Sequence, residues 1–437
     1  MSADAPGFVR RTVASVRFRL FVTAWLLFAL HFATNIQREH YPAMALAEDG
    51  TFRCDAFEPG FHSDIFRYRD GHAYIGNNLG TSVLVAPLLV LFDPVLDALE
   101  AREKRALRGE PAASRPAYDT TYRNRAELFR LVRERGWTLR FGAVAAITAT
   151  LFVAPLSALC LVLLFDQLRR RAVSERRALV LAILFGFATP VFFRSANLTN
   201  NMPVMYAVFG AFLALFGGDG AGSASTRRHA LAGFLCGLAL FCDYAAVVAC
   251  LVFGAAVAWR NLFASDRPSR GEGIRRILVF GLAAAPPIVA LLWTQKVCFG
   301  GWFVIGQMAM PAVNYTDHGW RGFALPDPVT FGANNVDPRF GLFTWAPILA
   351  LGLLPPRRRD VDAPLPRRSW LVAAAFVGAF LLFCAGNRYS RMQFNTGVRY
   401  LMPVVPFLFL SACNRLARLD GRVLALIAVP SVVHAWV

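Results

Sequence analysis

Between Arg38 and Gly80 the chain gathers groups that can bind or move protons: R-E-H-Y-P-A-M-A-L-A-E-D-G-T-F-R-C-D, then H-S-D-I-F, then G-H-A-Y-I-G-N-N-L-G. Glu39, Asp55 and Asp64 are its candidate general bases. Glu39 ranks first because it stands three residues before Pro42, a residue suited to the first turn of a helix, and the run 42–48 ends at Gly50, a natural stop. The positive end of that short helix would keep a nearby carboxylate ionised and able to accept a proton near neutral pH. A salt bridge to Arg38 or His40 on a wet surface is the plainer reading of the same residue. His72, Tyr74 and Asn78 fit a turn that presents polar tips at the headgroup level, where they could contact a ligand. His62, Asp64 and His72 are of metal-ligating type but lack a recognised spacing. No metal site is assigned and no cofactor is expected, a divalent ion being the weaker alternative.

A second set of groups is cationic and sits at the ends of apolar runs: Arg194 with Asn197, Asn200 and Asn201, then Lys296, Arg339, Arg388, Arg391 and Arg399. The planar fork of arginine matches phosphate oxygens, and the alternative for each is snorkelling to lipid headgroups. Their common placement on the side of the carboxylates favours a shared anionic ligand. Lys296, Arg388 and Arg399 are the preferred phosphate contacts.

What must position these groups is a membrane protein. Hydrophobic residues make up 56% of the 437 positions and charged ones 17%, which excludes an ordinary soluble domain. The formal charge of +18 lies in short arginine clusters between apolar runs, so it orients helices and does not mark a nucleic-acid partner. Apolar runs at 19–34, 141–165, 178–193, 203–218, 229–242, 244–259, 277–297, 341–355, 370–386, 401–415 and 423–437 predict an all-α polytopic membrane helical bundle of about eleven spans. The chain reads as a single integral-membrane domain over 1–437, with a long first extracytoplasmic loop at 35–140 and the remaining bundle at 141–437. Arginines at 169–171, 176–177, 227–228, 260–276, 357–359 and 367–368, with the basic N-terminus, mark the cytoplasmic side.

The run 81–99 is apolar enough to cross, but crossing would put the Arg169 cluster outside. It is therefore read as interfacial, interrupted by Pro87 and Pro94, one of the juxtamembrane helices of the first loop. Cys242-Asp243-Tyr244 would be a tight external turn between two short spans, with Asp243 either lining a cavity or capping the turn. Most cysteines lie within or at the ends of apolar runs and read as packing residues, and Cys54 and Cys298, both in external loops, are left reduced. The first apolar helix lacks a small-residue cleavage site and reads as an uncleaved anchor. No internal repeat is visible, which argues against the symmetric halves of many transporters.

Arg38-Glu39-His40-Tyr41 after the first span, Phe340-Gly341-Leu342-Phe343 with Pro347, and Gly397-Val398-Arg399-Tyr400-Leu401 with Pro403 resemble stretches of the GT-C integral-membrane glycosyltransferases. That family includes bacterial aminoarabinose transferases and protein mannosyltransferases. Glu39 matches the glutamate of the family's D-E-x-R-Y-type motif, Arg38 replaces its aspartate, and the lysine of the later K-P-P stretch is missing. The resemblance implies a GT-C-like fold in a bacterial inner membrane with an extracytoplasmic active site. It also implies inverting transfer of a sugar from a polyprenyl-phosphate donor to the hydroxyl of a lipid or glycan acceptor, with a carboxylate base. The competing readings are a polyprenyl-lipid transporter or flippase, which needs external arginines but no catalytic carboxylate, and a non-catalytic envelope-assembly membrane protein.

Overall fold

The computed structural model describes residues 15–58, 61, 64–108, 123–217, 224–265, 267–312, 319–356, 363–390 and 398–436. His62, Arg391 and Gly397 lie outside them. Helices supply nearly all the regular structure. In chain order the principal ones are α1 (Val16–Leu30), α2 (His40–Asp49), α3 (Gly80–Leu107), α4 (Arg123–Glu134), α5 (Thr138–Arg170), α6 (Glu175–Phe187), α7 (Asn201–Phe216) and α8 (Thr226–Cys242). They continue as α9 (Tyr244–Leu262), α10 (Arg270–Phe299), α11 (Pro328–Val336), α12 (Arg367–Ala385), α13 (Met402–Leu416) and α14 (Gly421–Trp436). The one sheet among the described residues is a hairpin of β1 (Ile65–Arg67) and β2 (Ala73–Ile75), with Phe66 opposite Tyr74.

Five described helices are long and apolar enough to cross a membrane: α3, α5, α9, α10 and α12. Their outward faces stay apolar, with Leu91, Leu251, Leu278, Leu282 and Leu371 exposed, as a lipid solvent allows. Within the bundle the helices approach closely through small residues. Gly233 and Gly237 of α8 meet the carbonyls of Phe280 and Ala284 on α10, leaving no room for a Cβ.

One end of the bundle is basic and stitched by arginines to helix-end carbonyls. Arg17 bonds Asp166 at 2.6 Å, Arg228 bonds the Leu213 carbonyl, Arg260 that of Leu215, and Arg177 that of Leu419. Arg228 and Arg260 thereby add donors to carbonyls in the last turn of α7, where helix carbonyls lack intrahelical partners. The opposite end carries the loop after α1 and therefore Glu39.

Several predicted elements differ, among them the run 178–193, which stops at Phe187 and resumes only as a turn at Val191–Arg194. Pro87 and Pro94 do not interrupt 81–99: α3 is one helix of 28 residues, about 42 Å long. Each proline removes a single N–H, and in an apolar setting the backbone does better by keeping its remaining bonds inside the helix. Both ends of α3 nevertheless sit at the Glu39 end of the bundle. Gly80 lies against the Phe241 carbonyl at the end of α8, while Asp97 and Glu100 bond Arg140, and Glu103 accepts the Leu139 N–H, at the start of α5. A further difference is 341–355, which forms a helical turn at Leu342–Trp345 and a tighter 3₁₀ run at Pro347–Leu353. Pro347 opens that run and Gly352 brings its backbone onto the Leu408 carbonyl of α13, a geometry set by contact with the neighbouring helix.

Candidate functional site

Glu39 is the residue before α2, and Gly50, left-handed at φ 64°, closes that helix. The backbone of Glu39 is anchored from α3, where Ser82 Oγ donates to its carbonyl at 2.7 Å. Its side chain is 4% exposed and leaves the helix start uncapped, turning instead to Arg38 Nε at 3.2 Å and to the Asn200 N–H at 3.3 Å. Arg38 Nη1 reaches Asp64 at 3.0 Å, so one guanidinium joins two carboxylates from opposite ends of the loop. These groups are well removed from water, where a charge survives only when paired.

Next to Glu39, His40 is also buried, with both ring nitrogens in hydrogen bonds. Nδ1 accepts the Gln37 N–H at 2.8 Å and Nε2 meets Thr148 Oγ at 2.9 Å, whose own proton goes to the Val144 carbonyl. Burial pushes the imidazole down to about 4 against the pull of Glu39. His40 thereby ties the start of α2 to α5 and fixes where Glu39 stands.

Asp243 closes the same region from α8. Its Oδ1 accepts the Ala245 N–H at 2.9 Å, capping the turn, while its charge also interacts with Arg38, Glu39 and Arg399. Burial raises its carboxyl above the usual carboxylate range, opposed by the Ala245 bond and by Arg38. Arg399 donates to Tyr400 Oη at 2.9 Å and lies over that ring at 4.7 Å, and Tyr400 is in turn within the field of Arg38. Arg194, buried, holds the Val398 carbonyl at 2.7 Å and repels Arg399. Glu39, Asp64, Asp243 and Arg399, distant in sequence, thus meet with Arg38 and Arg194 at one place.

Other candidate residues are placed elsewhere. Asp55 bonds the His72 ring at 2.9 Å and the Ala73 N–H at 2.6 Å on the exposed side of the hairpin; against the effect of burial, these bonds hold it below the usual range. Tyr74 donates to Asp70 at 2.8 Å and packs on Phe299. Lys296 caps its own helix through the Gly300 carbonyl at 2.7 Å. Arg388 lies near Asp327, its backbone N–H on the Gly322 carbonyl. Asn78 belongs to the wall of the site, its Nδ2 on the Leu240 carbonyl at 2.9 Å, just before Asp243. Asp64 turns to Arg38 and His72 to Asp55, and no cluster of three metal-ligating side chains occurs among the described residues. All eight cysteines are unpaired, Cys54 and Cys298 included.

In sequence, Arg38 stands only as the departure from an acidic pair. The structure gives it a role that the sequence signals only weakly, through an arginine set directly between a span and its first carboxylate. Comparison of the chain with protein-family models, with curated proteins and with solved structures finds no match.

Proposed function

We propose that the protein is a membrane glycosyltransferase of GT-C-like architecture, moving a sugar from a polyprenyl-phosphate donor to an acceptor hydroxyl on the extracytoplasmic face. The observation that carries this reading is the meeting of Glu39, Asp64 and Asp243 with Arg38, Arg194 and Arg399 at the end of the bundle away from its arginine clusters. A carboxylate at the membrane boundary is costly to maintain and serves catalysis well.

In this reading the acceptor oxygen attacks the anomeric carbon while Glu39 takes its proton. The bond from that carbon to the phosphate oxygen breaks with its electron pair staying on the polyprenyl phosphate, so the anomeric configuration inverts. Arg399 and Arg194 stand where the departing phosphate gathers charge, and Arg38 orients Glu39 and Asp64. Apolar helix faces beside the site would seat the lipid tail.

The test is transfer from a radiolabelled polyprenyl-phosphate sugar in membranes containing the full chain. Glu39→Gln should lower turnover by about 10²- to 10⁴-fold, the usual weight of a general base. Unchanged transfer in that variant would remove Glu39 from the chemistry. Movement of the intact lipid across vesicles, insensitive to Glu39→Gln, would instead support a transporter.

A further inference from the structure

The two loops that flank Glu39 hold buried polar atoms that nothing in the protein satisfies. Asn200 is fully buried, and neither its Nδ2 nor its Oδ1 has a hydrogen-bond partner, although its backbone N–H is the one bonded to Glu39. On the same loop, Thr199 Oγ1 and Asn197 Oδ1 are also unpartnered. On the segment leading into α3, whose Ser82 bonds the Glu39 carbonyl, Asn77 Nδ2 and Asn78 Oδ1 are unpartnered too. A buried carboxamide left without partners is destabilising, and such groups cluster where a ligand supplies the missing bonds.

Resting on the glycosyltransferase reading, we infer that Asn200, with Asn77 and Asn78 opposite it, forms the sub-site that holds the transferred sugar through its hydroxyls, and that this sugar is neutral. Carboxamides offer donors and acceptors side by side, and a hydroxyl is both at once, so a polyol ring satisfies them in pairs. The unpartnered atoms on these two loops all belong to uncharged side chains, which matches a ring without a carboxylate. The site's guanidinium groups are spent on carboxylates, on the segment around Val398 and, in this reading, on the donor phosphate. The position beside Glu39 places the ring next to the base that activates the acceptor. A site built to bond hydroxyls rejects analogues lacking them far more strongly than an apolar pocket does.

The experiment uses the purified full chain in detergent and follows its melting temperature with farnesyl phosphate and with farnesyl-phosphate glucose, mannose, galactose, arabinose and glucuronic acid. Farnesyl phosphate alone should stabilise the wild type, and at least one neutral sugar lipid should do so more strongly, with glucuronic acid adding nothing. Asn200→Ala should melt within about 3 °C of the wild type when unliganded, since it breaks no side-chain bond. It should respond normally to farnesyl phosphate and bind the best sugar lipid about tenfold more weakly, removing most of the added shift. If this variant does not fold, Asn77→Ala carries the same comparison. A sugar increment that survives both substitutions, a preference for glucuronic acid, or no increment from any sugar would overturn the sub-site while leaving the lipid-phosphate reading intact. Absence of any response to farnesyl phosphate would overturn both.

Discussion

A buried neutral imidazole beside the proposed base makes the site's integrity depend on pH. His40 is pushed down to about 4 in the folded chain, while an unfolded histidine titrates near 6.5. Between those values the unfolded state binds a proton that the folded state refuses, so stability falls as pH drops through 6.5 toward 4 and is intact above. The full effect is about 3 kcal/mol, from roughly 1.4 kcal/mol per pH unit. Replacing the ring by glutamine removes this titration. The difference in melting temperature between wild type and His40→Gln should therefore shrink steadily from pH 7 to pH 4.5, and a constant difference would mean that the ring titrates normally. Glu39 itself was legible from the sequence because type, position after a span and a following Pro42 all pointed to it. Arg38 was not, because its importance lies in a partner 26 residues away, and Asn200, named only as a neighbour of Arg194, gave no sign of its bond to Glu39 161 residues away.

At the scale of elements, the loop around Glu39 is positioned by one buried cation. Arg140, near the start of α5, bonds Glu48 at the end of α2 and Asp97 and Glu100 on α3, with Asp93 at 3.6 Å. Its side chain is 7% exposed while most of its partners are partly in water, so the cluster contributes less than a fully buried network would. Arg140→Met leaves four carboxylates facing one another without a counter-charge. It should destabilise the chain by about 1–3 kcal/mol and free α3 to proteolysis, and 0.5 M salt should recover part of the loss by screening. Equal loss at low and high salt would assign the effect to packing alone. Apolar runs located most of the long helices, because a lipid-facing helix must be apolar along its length, although five described helices and not eleven are long and apolar enough to cross. They failed for Pro87 and Pro94, where the backbone's need for internal bonds outweighs proline's local preference, and for 341–355, where contact with α13 decides the conformation.

For the molecule as a whole, everything turns on which end of the bundle faces out. Arginine clusters gather at one end and Glu39, Asp64, Asp243 and Arg399 at the other, so under the proposed function the positive-inside rule predicts that the candidate site faces out, an expectation that labelling tests. Helix α3 is the critical case, since it is long enough to cross and a crossing would invert every later element. Its packing against the end of α8 at Gly80 and against Arg140 further along instead keeps both its ends on the side of Glu39. The native cysteines are buried or half-buried, which lets an introduced thiol report alone. With a membrane-impermeant maleimide on intact cells, Asp70→Cys and Ala106→Cys, at exposed positions before and within α3, should both be labelled. Arg176→Cys, beside the arginine cluster, should react only after permeabilisation. Labelling of position 70 but not 106 would mean that α3 crosses the bilayer, and Arg194 and Arg399 could not then share a side of the membrane with Glu39 in the manner the site requires.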